Sequence, residues 1–329
     1  MNSTALSAWK ILARAGSHIF GAGAGLRNQL YDRGTLPAKR LNWPVVSVGN
    51  LSVGGTGKTP FIILLGELLQ RRGVAFDVLS RGYGRTARGA ALVDPGGAAH
   101  DFGDEPLLIA RRLNAPVIVG EDRYAAGQLA EGSFPGRIHL LDDGFQHRQL
   151  ARDFEIVMVT PEDARDTLLP AGRLREPLAS LRRADAVVLA SGALPEQFPL
   201  SGKTIWKVRR GILPQSPPHP AVAFCGIARP QNFLLQLRRA GVGPVAEAIF
   251  SDHHTYTEGD IRDLLALRQR SEAAGFITTE KDAINLGGYL AALEPVCVVP
   301  VKMDLVSADS ALDFMLQTLA GRDRHRKPG

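Results

Sequence analysis

The sequence is poor in cysteine, with two in 329 residues. Cys225 and Cys297 both lie in apolar runs, which indicates buried thiols in a reducing compartment and speaks against a disulfide or a cysteine-based metal site. An H-x-x-x-H spacing is also missing, so the histidines do not indicate zinc. Aromatic residues make up only 6% of the chain and do not cluster with arginines. Because the central body is not basic either, nucleic-acid binding is not expected.

Long apolar runs are missing too, since no stretch reaches the ~20 residues that a membrane-spanning helix needs. The first apolar segment is interrupted by Lys10, Arg14 and His18 and has no clear cleavage site, so a signal peptide is not expected. Repeats and low-complexity tracts are also absent from the sequence. With 45% hydrophobic and 22% charged residues, the composition is that of a soluble globular protein, long enough for two domains with substantial cores.

The net charge of +6 is concentrated at the two ends of the chain. Residues 1–40 carry +5 and the last nine residues +3, so the remainder is slightly acidic. This distribution is expected when a terminal segment meets an anionic surface.

Residues 5–31 predict an amphipathic helix, although the four glycines between Gly16 and Gly25 weaken the pattern. Its apolar positions include Leu6, Trp9, Ala13, Phe20, Ala24, Leu26 and Leu30. A basic helix of this kind can lie in a membrane interface, or it can pack on the domain with its charges solvated. The pattern alone leaves both possibilities open.

The strongest local signal starts at the apolar segment 45–48, passes through a glycine-rich loop and ends with Lys58 and Thr59 at the start of a predicted helix. A strand, a glycine loop and a helix in this order predict a P-loop, whose N–H groups converge on a phosphate. We expect Lys58 to reach the β- and γ-phosphates and the Thr59 hydroxyl to ligate Mg²⁺. Ser52 stands where the usual motif has its first glycine. The predicted nucleotide-binding residues are Ser52, Val53, Gly54, Gly55, Thr56, Gly57, Lys58 and Thr59.

A second signal lies about 80 residues downstream, where the apolar segment 138–141 is followed by Asp142 and Asp143. An apolar strand that ends in an acid is the Walker B arrangement, which holds Mg²⁺ or its water beside the P-loop. Asp104 and Glu105 stand at the start of another predicted helix. They are either a helix cap that complements the helix dipole or, in a P-loop protein, the place of a general base or a second Mg²⁺ contact.

The chain alternates predicted strands and helices from residue 43 onward, and the proline-rich segment 211–220 is the best domain boundary. We therefore predict an α/β fold: a P-loop NTPase-type parallel sheet domain, a second, smaller α/β domain and an N-terminal amphipathic helix. The predicted divisions are 1–40, 41–211 and 212–329. A single strand is predicted over residues 295–301.

Three polar loops lie near predicted strands, and each has both a structural and a functional interpretation. Tyr83 lies in S-R-G-Y-G-R, where a phosphate or sugar contact is at least as plausible as a solvated turn, because open α/β sheets bind ligands at strand ends. Arg175 in G-R-L-R-E-P is either solvated or part of an anion clamp. His253 and His254 are either loop polarity or an acid–base group.

Seven motifs in this order, taken together, resemble the tetraacyldisaccharide 4'-kinase family of lipid A synthesis over nearly the whole chain. They are V-G-N-L-S-V-G-G-T-G-K-T-P, S-R-G-Y-G-R, G-D-E-P, L-D-D-G-F-Q-H, G-x-L-R-E-P, D-H-H-x-Y-T and T-E-K-D. The resemblance implies ATP- and Mg²⁺-dependent phosphorylation of the 4'-hydroxyl of tetraacyldisaccharide 1-phosphate, giving lipid IVA. It also implies a peripheral location at the cytoplasmic face of a Gram-negative inner membrane, and it favours membrane contact for residues 5–31. No obligate protein partner is evident.

The resemblance also implies roles for individual residues. Asp104 resembles the general base, Glu105 its metal-side neighbour, and His253 (less so His254) the histidine that orients the base. Asp142 and Asp143 match the Walker B acids. The residues in motifs expected to line the substrate cleft are Tyr83, Arg123, Gln146, His147 and Arg175. In this hypothesis the second domain closes over the active site and excludes water.

Other P-loop classes provide alternatives. A membrane-recruited partition-type ATPase switch uses a similar loop, but carries a signature lysine where this chain has Val53. A GTPase or metal-delivery protein would need N-K-x-D for guanine, which is missing. A soluble small-molecule kinase would leave residues 1–31 with a structural role only. Phosphate transfer separates these classes, because a switch hydrolyses ATP without an acceptor.

Overall fold

The computed structural model describes residues 3–323, with side chains from residue 12 to residue 322. The side chains of Leu6, Trp9 and Lys10, and the basic residues that follow Arg322, therefore lie outside the described part of the chain. The helices are α1 (Ser3–Asp32), α2 (Lys58–Arg71), α3 (Ala99–Phe102), α4 (Asp104–Arg112), α5 (Arg123–Ser133), α6 (Pro230–Arg239), α7 (Glu258–Arg270), α8 (Glu280–Leu286) and α9 (Ala308–Asp323). Short 3₁₀ helices span Asp163–Arg165, Leu178–Arg183, Pro195–Gln197 and Gly287–Leu293.

The strands alternate with these helices along most of the chain, as the sequence predicts for an α/β fold. They are β1 (Val45–Asn50), β2 (Phe76–Ser80), β3 (Ala91–Leu92), β4 (Val117–Val119), β5 (Ile138–Asp142), β6 (Phe154–Val159), β7 (Ala186–Leu189), β8 (Thr204–Ile212), β9 (Ala221–Cys225), β10 (Ala246–Ile249), β11 (Gly275–Thr279), β12 (Val296–Val299) and β13 (Val301–Leu305). The single strand predicted over residues 295–301 is wrong, because Pro300, which has no N–H to donate, separates β12 from β13.

The chain packs into two compact units. The first contains residues 3–79, 123–209 and 304–323, and the second contains residues 80–122 and 210–303. The sequence-based division into 1–40, 41–211 and 212–329 stays a prediction about domains, and packing groups two segments differently from it. Proline-rich connectors can be seen in a sequence, whereas the body against which a segment packs cannot.

In the first unit, strands β8, β7, β6, β1, β5 and β2 lie side by side in that order and are parallel. Strands β1, β5 and β6 are buried at every position, as expected for parallel strands covered on both faces. β1 is central, and its Val48 pairs with Asp142 of β5. This register brings the loops that follow β1 and β5 to the same edge of the sheet.

Helix α1 packs against the 167–171 loop of the same unit through small residues. Ser17 Oγ donates to the Leu168 carbonyl oxygen (2.7 Å) and accepts from the Ala171 N–H (3.1 Å). A Cβ on Gly16 would lie 3.2 Å from Pro170, and a Cβ on Gly21 would lie 2.6 Å from Leu168. These two glycines therefore permit close contact and do not break the helix.

The large apolar side chains of α1 point away from this contact. Leu12, Ile19, Phe20 and Leu26 are 67%, 76%, 39% and 59% exposed. The sequence grouped Ala13, Phe20 and Ala24 on one apolar face; in the structure the two alanines are half-buried and Phe20 is exposed. None of the described helices is both long and apolar enough to cross a membrane.

In the second unit, β10, β9, β11 and β12 form a parallel sheet in that order, with β9 and β11 buried throughout. Strands β3 and β4 pair antiparallel in the same unit. The Thr279 side chain caps α8 by accepting from the Asp282 N–H (3.2 Å). The T-E-K-D segment therefore lies at the end of a buried strand and the start of a helix.

Candidate active site

The P-loop in the first unit connects β1 to α2 and has the geometry of an anion site. Gly54 and Gly57 have φ values of +98° and +91°, in the left-handed region that favours glycine. Gly57 is the N-cap of α2, and no side chain caps the helix there. The N–H groups of the first turn and the positive end of the helix dipole are thus left for a phosphate.

Asn50, the last residue of β1, braces this loop. Its Nδ2 donates to the Ser52 carbonyl oxygen (2.7 Å) and to Thr56 Oγ1 (3.0 Å), and its Oδ1 accepts from Lys58 Nζ (3.1 Å). The sequence analysis did not single out Asn50. The signal that could have found it is an amide side chain at the end of the strand that leads into the P-loop.

Asp143, the residue after β5, lies beside Lys58. Asp143 Oδ1 is 3.3 Å from Lys58 Nζ, and Asp143 Oδ2 is 3.0 Å from Arg175 Nη1. Burial acts to raise the pKa of Asp143, but the charges of Lys58 and Arg175 outweigh it and lower that pKa below its usual value. Asp143 is therefore ionised at neutral pH, and it also has a φ of +49°.

Gln146 connects the same loop to the strand that carries the P-loop. Its Nε2 donates to the Asn50 carbonyl oxygen (2.9 Å), and its Oε1 accepts from Arg175 (3.2 Å). His147 is half-buried in this loop, and Arg123 is 5% exposed at the start of α5. The structure thus joins Lys58, Asp143, Gln146 and Arg175 in one network.

The donors near the P-loop fit Mg²⁺. The Thr59 hydroxyl and the carboxylates of Asp142 and Asp143 are hard oxygen ligands. Within the described residues, no cluster of three or more His, Cys, Asp or Glu side chains could hold a metal alone. Mg²⁺ is usually held by one or two carboxylates together with substrate phosphates.

The second unit holds a buried carboxylate at the start of α4. Asp104 is 5% exposed, and its Oδ1 accepts from the Glu105 N–H (2.8 Å). Its Oδ2 lies 2.8 Å from His253 Nδ1 and accepts from Asn285 Nδ2 (3.2 Å). Burial acts to raise the pKa of Asp104, but the His253 hydrogen bond and the charge of Lys281 lower it below its usual value.

The two histidines of D-H-H-x-Y have different surroundings. His253, at φ +58°, contacts Asp104, and its ring lies 5.4 Å from that of Tyr83. His254 instead stacks on Phe250, and its Nε2 lies 3.1 Å from Asp260 Oδ2. The structure therefore brings His253, and not His254, to the predicted base.

The remaining residues predicted for this part occupy the same region. Tyr83 is 65% exposed, as a side chain available to a substrate must be. Glu105 Oε1 lies 3.8 Å from Lys281 Nζ. Asn285 was missed by the sequence analysis, because its contact with Asp104 joins residues 181 positions apart.

Comparisons with known proteins point to one family. A family model described as "Tetraacyldisaccharide-1-P 4'-kinase" matches residues 9–320. The chain is 50% identical over 316 residues to the tetraacyldisaccharide 4'-kinase of Koribacter versatilis, covering 93% of this chain and 98% of that protein. It is 38% identical over 300 residues to the corresponding kinase of Chlorobaculum parvum, covering 82% of each chain.

A crystal structure of LpxK from Aquifex aeolicus in complex with ATP has a similar fold. The TM-score is 0.77 at 34% identity, and the match covers 94% of this chain and 99% of that one. The shared fold confirms the predicted α/β architecture, with its large parallel sheet, smaller second sheet and N-terminal helix. The family model and the relatives together show that the chain belongs to the tetraacyldisaccharide-1-phosphate 4'-kinase family.

Proposed function

We propose that the chain transfers the γ-phosphate of ATP to the 4'-hydroxyl of tetraacyldisaccharide 1-phosphate, forming lipid IVA. The observation that carries the proposal is the buried, ionised Asp104, which is paired with His253. The same chain has a P-loop whose Lys58 lies beside Asp143. A P-loop alone supports any nucleotide-dependent reaction. A buried carboxylate held ionised by hydrogen-bond donors supplies the general base that a transfer to a hydroxyl needs.

In this reaction the P-loop N–H groups and Lys58 hold the β- and γ-phosphates, and Arg175 adds positive charge beside Asp143. Thr59, Asp142, Asp143 and Glu105 are the proposed ligands for Mg²⁺, which when bound neutralises charge on the phosphates. Asp104 accepts the proton of the acceptor hydroxyl as the new P–O bond forms. Positioning and charge neutralisation supply most of the rate, because the transition state is loose.

Tyr83, Arg123, Gln146, His147 and Arg175 are proposed to contact the acceptor or its phosphate. Tyr83 has the clearest support, because its ring is exposed and lies next to His253. Gln146 and Arg175 are supported by their shared hydrogen bond in the network around Asp143.

The partition-type ATPase switch is not favoured, because the chain belongs to a kinase family and has Val53 in place of the signature lysine of that class. ATP consumption with and without a tetraacylated disaccharide 1-phosphate in mixed micelles separates the two functions. We expect consumption to depend on the acceptor and to match the phosphorylated product in amount. Hydrolysis at the same rate without acceptor would favour the switch.

We further propose that α1 binds the inner membrane surface at its cytoplasmic face. For the protein as a whole we propose no obligate protein partner and no nucleic-acid partner. The packing of α1 through small residues leaves Leu12, Ile19 and Leu26 exposed, and Arg14 and Arg27 lie on the same helix. Apolar side chains inserted beside basic ones are typical of interfacial helices.

Sedimentation with vesicles that contain anionic lipid tests this membrane contact. We expect Ile19→Asp combined with Leu26→Asp to weaken binding, whereas Leu194→Asp, at a leucine that is 55% exposed elsewhere in the same unit, leaves it unchanged. Equal binding of all three proteins would contradict the membrane role of α1.

A further inference from the structure

The R-L-R-E segment (residues 173–176) lies alongside the start of the P-loop, within the first unit. The Val53 N–H donates to the Arg173 carbonyl oxygen (2.8 Å), and the Arg175 N–H donates to the Leu51 carbonyl oxygen (2.6 Å). The residues between these two bonds form an antiparallel bridge. The segment is therefore paired with the P-loop backbone, and its Arg175 side chain belongs to the charged network of the phosphate site.

Glu176, at the end of this segment, is a carboxylate with none of its surface exposed. Its Oε1 and Oε2 accept from the Arg183 guanidinium (3.2 and 2.8 Å), and Oε2 also accepts from Asn28 Nδ2 (2.6 Å). Burial of a charge is costly unless the charge is paired and hydrogen-bonded. Arg183 supplies the opposite charge, and Asn28 connects the carboxylate to α1.

Asn28 lies in a part of α1 that is fixed to the same unit. The residue is 5% exposed. Arg148 Nη1 donates to the Asn28 carbonyl oxygen (2.9 Å) and lies 2.8 Å from Asp32 Oδ1. Arg182 Nη2 donates to the other oxygen of Asp32 (2.9 Å). These bonds hold the last turns of α1, so the Asn28 amide meets Glu176 from a fixed position.

A second set of contacts connects α1 to the same segment. The Leu174 N–H donates to the Thr167 carbonyl oxygen, and the Leu169 N–H donates to the Leu174 carbonyl oxygen, each at 2.9 Å. Thr167 and Leu169 belong to the 167–171 loop, which Ser17 of α1 contacts. Helix α1 therefore contacts the segment directly at its end and through this loop at its centre.

We propose that Asn28 is a positioning residue, which fixes Glu176 from α1 and so places the neighbouring Arg175 at the phosphate site of the P-loop. The inference rests on the proposed function for the contact of Arg175 with the phosphates of ATP. Helix α1 thus takes part in nucleotide binding, in addition to its proposed contact with the membrane.

The first test is the affinity of the full chain for ATP, measured by isothermal titration calorimetry without acceptor or lipid. Asn28→Leu has nearly the same volume and no donor, and a buried carboxylate that loses one donor shifts toward those that remain. We expect this variant to bind ATP about 5-fold more weakly or worse, the lower end of the usual coupling between a distant group and a ligand site. Asn28→Ser, whose side chain is too short to reach Glu176, takes its place if Asn28→Leu does not fold, with the same expectation.

Gln29→Leu is the matched control, because it makes the same type of change at the next position of α1, which is exposed. We expect it to bind ATP as wild type does. In the transfer assay, Asn28→Leu should raise KM for ATP and leave KM for the acceptor unchanged. A loss of membrane contact by α1 would instead raise KM for the lipid acceptor.

The second test is a double-mutant cycle, which measures whether Asn28 acts through Arg175. We expect Asn28→Leu to weaken ATP binding less in an Arg175→Met background than in wild type, since the side chain that it misplaces is then already missing. Equal fold losses in the two backgrounds would overturn the positioning role, because a general loss of packing acts independently of Arg175.

The remaining outcomes separate this proposal from the proposed function. Unchanged ATP affinity in folded Asn28→Leu, or an equal loss in Gln29→Leu, would overturn the positioning role. If wild type binds ATP and the cycle gives the expected result, but no phosphate reaches the acceptor, the proposed function fails and the role of Asn28 stands.

Discussion

Gly49→Ala tests whether the close packing between β1 and the loop after β5 sets the geometry of the phosphate site. Gly49 lies in β1, one residue before Asn50. A Cβ at this position would lie 2.5 Å from Phe145 Cβ, 2.7 Å from Phe145 N and 3.1 Å from its Cα. Two of these are backbone atoms, so a rotation of the side chain cannot relieve the overlap.

The size of the effect follows from these distances. Carbon atoms normally approach to about 3.5–4.0 Å, so the backbone at Phe145 must move by roughly 1 Å. Phe145 is fully buried in a core with Leu51 and Val157. Overpacking of this kind costs about 1–3 kcal/mol. The displaced segment also carries Asp143 and Gln146, and a displacement of about 1 Å in a site can lower the rate by ~10²-fold.

Urea unfolding and phosphate transfer measure the two effects, with Gly211→Ala as the matched control. Gly211 also lies in a strand, β8, but a Cβ there would meet nothing within 4 Å. We expect Gly211→Ala to be neutral or stabilising by about 0.4–1 kcal/mol, with full activity. If Gly49→Ala unfolds at the same urea concentration as Gly211→Ala and is as active, the argument from close packing is wrong.

Three further predictions follow from the same contacts. His253→Ala removes a hydrogen bond that lowers the pKa of Asp104, so the acid limb of the kcat–pH profile should move to higher pH; an unmoved limb would contradict the pairing. Asp282→Ala leaves the Gly226 N–H and the Tyr256 hydroxyl without their acceptor, which lowers the free energy of unfolding by about 1–3 kcal/mol for each group. Its urea midpoint should therefore fall well below that of the control Asp263→Ala, at an exposed site, and equal midpoints would refute this. Lys58→Met should lower kcat by roughly 10²- to 10³-fold, as loss of a charge clamp does, and near-normal turnover would exclude Lys58 from phosphate binding.

The features that the sequence predicts best are those built by consecutive residues. The P-loop and the acids after β5 were found because a strand, a loop and the first turn of a helix follow one another within about 15 residues. Helix α2 begins at Lys58, as predicted, because a clear apolar run follows the glycine-rich loop.

Contacts between distant segments were not predictable. Asn285 and Lys281 contact Asp104 across more than 170 positions, and a local sequence pattern carries no information about such a contact. The sequence also could not show which of the two histidines contacts the predicted base. His254 lies instead beside Asp260, which also accepts from the N–H of the helix cap Thr257. In α1 the four glycines weaken the predicted helix pattern. The contact with the 167–171 loop accounts for Gly16 and Gly21, whereas a Cβ on Gly23 or Gly25 would meet nothing within 4 Å.

The most direct test of the account is transfer of labelled γ-phosphate from MgATP to tetraacylated disaccharide 1-phosphate in mixed micelles, with wild type and Asp104→Asn side by side. The account predicts a product phosphorylated at the 4'-hydroxyl by wild type, and transfer by Asp104→Asn lowered by about 10²- to 10⁴-fold, the usual contribution of a general base. ATP affinity should be the same in both proteins, because Asp104 lies outside the P-loop. Undiminished transfer by Asp104→Asn would remove Asp104 from the chemistry, and acceptor-independent ATP hydrolysis by wild type would contradict the kinase assignment itself.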